Sequence, residues 1–500
     1  MSKQTYSLLF VLSASLLFGL AYLPQYNTIT GDKEIYRYIG QVIQKGGVPY
    51  RDVFDHKPPL IFFLNYAVLL LGGDWGQWVI DTLLALLATL LFFQLGKKYK
   101  LPYPWLLPLL FNLMLRDFLI CLGMGMTREY TTILLLIFFC VLLGKYRYRY
   151  FIFGLLAGLI FFMQQDQVLP LIPFFIYAFL PEEDTVPFLT RLLRTAAGFL
   201  AIALPILLYF AVHSSLKYFW QDAFVFNFTW YTGTLKASFW DHLRKLKTVL
   251  DQGNYEVPFM VAIVLSVYAL FNGTTNRKII LVSLAAMLLS LSPGFMGGRD
   301  LLPALAINKL TFTHYQLPLA ASLSFLLFSV FAFSTEPVIQ SRKAQGIFGV
   351  LACASLLYTD LQHLTHLTPL SEHEVLISPE LKYLREHKPG DYQLYEMGSN
   401  DYVRVYNELG IVGPSKWVYQ HFYALYTNWD PNHTELYGIG DDLLRHRTTY
   451  VMDFTYKPNK FFVDPGVYSW WQNFLQEHYD SIPLRGEHFS RLWKLKGSPE

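Results

Sequence analysis

The 500-residue chain is 53% hydrophobic and only 15% charged, where an ordinary soluble protein carries roughly 25% charge. A mean hydropathy of +0.30 and a 17% aromatic share argue against a soluble globule, which would have to expose large apolar patches. The net charge of +3 comes with no basic tract, which speaks against nucleic acid as a partner.

Residues 1–6 lead straight into an apolar run with no small-residue cleavage site behind it, so the N-terminus reads as a retained signal-anchor. A spanning helix needs roughly 20 mostly apolar residues. Such runs fall at 7–24, 76–95, 103–122, 128–144, 151–163, 168–181, 195–212, 256–272, 278–292, 316–333 and 346–360. The expected fold is therefore a polytopic α-helical membrane protein with about eleven transmembrane helices. Taking Lys3 as cytoplasmic, every short inside loop is basic: Lys97, Lys98 and Lys100; Lys145, Arg147 and Arg149; Arg191 and Arg194; Arg277 and Lys278; Arg342 and Lys343. That bias sets orientation, and an odd span count then puts the C-terminus outside.

Three external regions are long, near 23–75, 213–256 and 291–315. Within the first, 60–71 is apolar but short and follows Pro58-Pro59, the pattern of an interfacial or re-entrant helix. Within the second, Trp220, Phe224, Phe228, Trp230, Tyr231, Phe239 and Trp240 sit among polar residues and predict helices lying on the membrane surface. From about residue 361 charges return. Helices are predicted over 381–387 and 470–479 and strands over 392–396 and 450–454. The chain thus divides into a transmembrane domain, 1–360, with its first external loop at 23–75, and a small extracytoplasmic α/β domain, 361–500. Cys121, Cys140 and Cys353 lie in apolar runs and make no disulfide framework. The sequons at Asn227 and Asn432 establish nothing about glycosylation.

Charge next to a membrane is costly and tends to mark a site. The first loop carries Asp32, Glu34 and Tyr36, then Asp55-His56-Lys57 before the two prolines. Arg128-Glu129 opens the fourth run, with Arg116-Asp117 at the outer end of the third. Arg299-Asp300 and His314-Tyr315 precede the tenth. Each has a plainer reading: a solvated proline turn, a helix end whose Glu suits the dipole, a structural histidine. All three groups nonetheless fall on one side of the membrane. Their carboxylates (Asp32, Glu34, Glu129) and cations (Lys57, Arg128, Arg299, with His314) could deprotonate a hydroxyl and stabilise a phosphate leaving group.

Asp32 four residues before Tyr36, Lys57-Pro58-Pro59, the pair opening the fourth helix, and His314-Tyr315 with Pro318 together resemble the GT-C superfamily. The pattern is similar to the bacterial branch of protein O-mannosyltransferases and the aminoarabinose lipid A transferase, over roughly 7–335. The resemblance implies inverting transfer of a sugar from a polyprenyl-phosphate carrier to a lipid, glycan or protein acceptor, by a multi-pass protein of the cell inner membrane. It implies Asp32 as the base, Glu129 as a second candidate for the base or an acceptor-orienting group, and Lys57, Arg128 and Arg299 on phosphate. Glu34, Tyr36, Asp55, His56, His314 and Tyr315 would line the substrate. The sequence departs from the usual adjacent Asp-Glu pair, having Asp32-Lys33-Glu34, which puts Glu34 in doubt as the second acid. Some relatives need a divalent metal; with no His/Cys cluster of zinc spacing, no obligatory metal is expected. A transporter or flippase of lipid-linked sugars is the main rival. It would place charge at the bilayer midplane and carry inverted repeats, whereas this chain has charges at outer helix ends and no repeat; Asp81 and Asp166 come nearest to exceptions. A membrane-anchored receptor is the third reading.

Overall fold

The computed structural model describes residues 3–20, 22–24, 31–116, 125–180, 185–231, 247, 250, 255–297, 317–365, 379–397, 403–418, 430, 432–455, 465–484 and 490–498. Each of the eleven apolar runs carries a helix, in whole or in part. In chain order they are α1 (Lys3–Leu20), α2 (Asp32–Gln44), α3 (Leu60–Leu70), α4 (Asp74–Lys98), α5 (Leu106–Leu115), α6 (Thr127–Gly144) and α7 (Arg149–Met163). After a 3-10 segment, Gln165–Leu171, come α8 (Ile172–Phe179), α9 (Phe188–Val212) and α10 (Leu216–Trp220), the last continuing as π-helical turns to Tyr231. Then follow α11 (Glu256–Asn272), α12 (Arg277–Gly297), α13 (Pro318–Phe333) and α14 (Arg342–Thr365). Among the described residues three helices, α4, α6 and α9, are long and apolar enough to cross a membrane by length and composition. The apolar stretch after Pro59 is α3, whose 11 residues are too few to span.

Two cores hold the chain. The first is the helical bundle. There α6 is buried along nearly its whole length, while α9 turns Leu192, Leu193, Leu204 and Leu208 outward, as a perimeter helix facing lipid does. Ring contacts such as Phe139 on Phe325, 4.4 Å apart, pack α6 on α13. Since lipid is as apolar as leucine, bundles gain specificity from small residues and hydroxyls. Here α12 and α13 are tied by Ser283–Ser329 at 2.8 Å and Ser290–Ser322 at 2.5 Å. Helices α7 and α9 cross at two glycines: a Cβ on Gly154 would lie 1.8 Å from the Thr195 oxygen, and one on Gly198 1.9 Å from the Phe151 oxygen.

The second core takes in Tyr130 of α6, Phe162 of α7 and Ala203 of α9. It joins residues of α2, α3 and the loop between them to Phe210, Phe219 and Phe226, and to the C-terminal elements. Those elements are α15 (Pro379–His387), β1 (Leu394–Met397), α16 (Val403–Leu409), α17 (Thr434–His446), β2 (Tyr450–Asp453), α18 (Pro465–His478), β3 (Tyr479–Ser481) and β4 (Arg491–Leu495). The sheet order is β1-β2-β4-β3, with β1 parallel to β2 and the other pairs antiparallel. Both β1 and β2 are buried on both faces, as parallel strands joined by a helical crossover are. This core therefore draws on residues either side of position 361.

Candidate active site

Helix α2 begins at Gly31, whose φ of 59° suits glycine. Its first turn holds Asp32 and Glu34, where the helix dipole favours negative charge. Gly40 lets α2 lie directly on α3: a Cβ there would be 2.8 Å from the Tyr66 nitrogen. Asp32 is partly exposed and accepts a hydrogen bond from the Tyr36 hydroxyl at 3.2 Å. Glu34 turns the other way. It is buried, its carboxylate accepts from Asn407 Nδ2 at 2.6 Å, and Arg404 lies 4.0 Å away. Burial raises its pKa against the lowering effects of Asn407, Arg37 and Arg404.

The segment from Phe54 to Lys57 is held from three sides. Phe54 N–H donates to the Lys416 carbonyl at 2.9 Å, Asn227 Nδ2 donates to the His56 carbonyl at 2.7 Å, and the Tyr50 hydroxyl donates to the Lys57 carbonyl at 2.6 Å. Within it Asp55 Oδ1 accepts the Lys57 N–H at 2.7 Å and lies 3.7 Å from His56 Nδ1. Asp55, His56 and Lys57 are all buried. Burial pushes Asp55 up to about 7; the Lys57 N–H and ammonium oppose that, and the nearby Asp32 charge adds to it. Pro59 then starts α3, where a missing N–H costs nothing.

Arg128, in the first turn of α6, reaches across to Asp166 at 3.0 Å. Asp166 also accepts from Gln164 at 2.7 Å and Gln167 at 3.1 Å. Burial alone would raise Asp166, but Arg128, the two glutamines and Lys57 together hold it below the usual carboxylate range. The Lys57 ammonium is thus in electrostatic reach of both Asp55 and Asp166. Asp32 and Lys57 act on Asp55, and Lys57 and Arg128 on Asp166, which links the five charges pairwise.

Glu129 belongs elsewhere. Its Oε1 accepts from Arg116 Nη1 at 2.6 Å and its Oε2 from the Gly125 N–H at 2.8 Å, and it has no exposed surface. It sits in a buried network with Asp81, whose carboxylate accepts from Gln77 at 2.8 Å and from the Tyr130 hydroxyl at 2.5 Å.

Arg299, His314 and Tyr315 lie outside the described residues. Among the described residues, no group of three or more His, Cys, Asp or Glu side chains could hold a metal ion. Asp166 and Asn227 were not anticipated as site residues. The first had a signal, since Gln164-Gln165-Asp166-Gln167 is a polar run between two apolar ones; the second stood out only as a sequon.

No protein-family model and no curated protein matches the sequence. Among solved structures the chain is similar to ArnT from Cupriavidus metallidurans, crystallised bound to undecaprenyl phosphate. The TM-score is 0.61 at 12% identity, covering 100% of both chains. It is also similar to the oligosaccharyltransferase of Archaeoglobus fulgidus in its apo form, with a TM-score of 0.47 and 12% identity over 90% of this chain and 70% of that one. The same archaeal enzyme in complex with an inhibitory peptide and a dolichol-phosphate gives 0.44 and 14%, over 91% and 70%.

Proposed function

We propose, from the GT-C fold that this chain adopts, that it transfers a sugar from a polyprenyl-phosphate carrier to an acceptor hydroxyl or phosphate outside the cytoplasm. The observation that carries this reading is that Lys57 lies in the electrostatic surroundings of Asp55 and, with Arg128, of Asp166, while Asp32 lies in those of Asp55. That the structural neighbour with the whole-length match holds undecaprenyl phosphate supports it.

In the reaction, Lys57 and Arg128 bind the carrier phosphate and take up the charge that develops as the sugar–phosphate bond breaks. Phosphate is already a good leaving group, so no general acid is needed. Asp32, the carboxylate with an open side, receives the acceptor proton as the acceptor oxygen attacks the anomeric carbon from the opposite face, giving inversion. The products are the glycosylated acceptor and polyprenyl phosphate. Asp55 has no open side and acts through the Lys57 backbone N–H, fixing the turn of chain that carries this lysine. Asp166 likewise aims Arg128. Glu129 is assigned the same indirect duty, through Arg116, and Glu34 binds the C-terminal part instead of substrate. Arg299, His314 and Tyr315 complete the phosphate and acceptor side. The protein would work as a multi-pass protein of the cell inner membrane, N-terminus inside, with residues 361–500 on the outer side of the cell envelope.

The test uses the full chain in nanodiscs with radiolabelled polyprenyl-phosphate sugars and a panel of glycolipid and peptide acceptors. Wild type is expected to form a new glycosidic bond. Asp32→Asn should lose at least about 10²-fold in rate while still binding undecaprenyl phosphate, and Lys57→Met should lose that binding. A fully active Asp32→Asn protein would remove Asp32 as base. Movement of sugar across the bilayer without a new bond would replace the enzyme with a transporter.

A further inference from the structure

The loop that carries Asp55 and Lys57 is gripped by the far end of the sequence. After α16 the chain runs back across α2: Gly413 N–H donates to the Tyr38 hydroxyl at 2.9 Å, and Gln41 Nε2 donates to the Tyr406 and Ile411 carbonyls at 3.2 and 2.5 Å. It then reaches Phe54. The Phe54 N–H is taken by the Lys416 carbonyl, and the Phe54 ring lies 4.6 Å from that of Trp417. Trp417 is itself fixed, its carbonyl accepting from the Tyr395 hydroxyl at 2.8 Å and its Nε1 donating to Glu435 at 3.0 Å.

The Lys416 side chain points to a third partner. Its ammonium lies 2.8 Å from the Asp222 carboxylate and within 5.7 Å of the ring centres of Phe54, Tyr218 and Trp417. Asp222 sits on the π-helical turn next to the one carrying Asn227, the residue that holds the His56 carbonyl. The two backbone positions flanking Asp55 are therefore held by two distant segments, and Lys416–Asp222 ties those segments to each other.

A mostly buried ion pair is a poor way to add stability, because desolvation offsets the attraction. What such a pair supplies is a single geometry. We propose that Lys416 is a positioning residue of the active site, clamping the Phe54–Lys57 loop between the C-terminal part and the second external loop so that the Lys57 ammonium meets the carrier phosphate. The catalytic half of this proposal rests on the transferase reading above; the clamp itself does not.

The experiment therefore has two arms, on the full chain in nanodiscs. Hydrogen exchange of the peptide spanning residues 50–58 reads the clamp without any substrate. Sugar transfer, resolved into kcat and KM for the lipid-linked donor, reads its use. Lys416→Met and Asp222→Asn should each speed exchange of that peptide about tenfold or more, leaving the peptides of α6 and α13 protected. Both should lower kcat on the order of ten- to a hundredfold, as a misplaced catalytic group does. Lys416→Arg, which keeps the charge, should restore both to within a few-fold. Unchanged exchange, or faster exchange with kcat and KM intact, would overturn the proposal. Should wild type transfer no sugar from any donor while Lys416→Met still loosens the loop, the transferase reading falls and the clamp stands.

Discussion

Replacing Glu129 by glutamine keeps the shape of the side chain and its bond from the Gly125 N–H, but removes the charge that Arg116 faces at 2.6 Å. The side chains are 2% and 0% exposed, so water screens the pair very little. An arginine cannot shed its proton to escape. Breaking a pair of this kind costs about 3–5 kcal/mol. The lower end applies here, because Asp81 stands close by in the same network and Arg116 Nη2 already lies 3.5 Å from its carbonyl. A loss of about 3 kcal/mol is more than a hundredfold in the folded-to-unfolded ratio. The measurement is denaturant unfolding of the micelle-solubilised protein, comparing Glu129→Gln with the double variant Arg116→Gln, Glu129→Gln. The single variant should be markedly less stable, and the double should regain most of the loss because the buried guanidinium leaves together with its carboxylate. Sugar transfer is measured on the same preparations, and activity should follow stability. A Glu129→Gln protein as stable as wild type yet inactive, and not rescued by Arg116→Gln, would refute the reasoning and return Glu129 to the reacting atoms.

Asp55 makes a pH prediction. Its folded pKa of about 7 lies above the ordinary carboxylate's 3.8, so the native state binds the extra proton between those values. The stability this contributes is fully present below about pH 4 and lost as pH rises through 7, about 4 kcal/mol at most. Asp55→Asn should flatten that slope in thermal unfolding across pH 4–8, and an unchanged slope would show the carboxyl to be solvated. In the bundle, Gly198→Ala places a Cβ 1.9 Å from the Phe151 oxygen. It forces α7 and α9 apart by about an ångström and should abolish monodisperse protein on size-exclusion. Gly438→Ala, in α17, meets nothing within 4 Å and should be neutral or stabilise by about 0.5–1 kcal/mol. Equal yields for the two variants would mean the helix crossing is looser than drawn.

The helices were legible because one rule governs them: backbone in lipid must bond to itself, so run length and apolarity suffice. The runs at 128–144 and 256–272 became α6 and α11 almost residue for residue. Charge inside apolar surroundings was legible for the same reason, and it picked out Asp32, Asp55, Lys57 and Arg128. What it does not say is which way a charge points. Glu34 and Asp32 are two residues apart on one helix, yet one meets Asn407 and the other stays open; only the packing of α2 separates them. Glu129 and Arg128 are adjacent and face opposite networks. Lys416 and Asn227 act over separations of several hundred and well over a hundred residues, and no local pattern carries such a partnership.

Helix α2 shows why the two cores are not independent parts. Asp32 stands at its first residue and Lys57 just before α3, so both ride on one helical hairpin packed closely at Gly40. One side of that hairpin packs on the bundle through α3 and α4. The other side offers Glu34, Tyr38 and Gln41, each a buried polar group that needs a partner. The partners are Asn407, Gly413 and the Tyr406 and Ile411 carbonyls. Without the C-terminal part these groups would face water, and the hairpin would lose the surface that sets its tilt. The boundary near residue 361 is a change in composition, and one core runs across it. The hairpin keeps Asp32 and Lys57 together, and α16 with the chain just after it covers the side that the bundle leaves open.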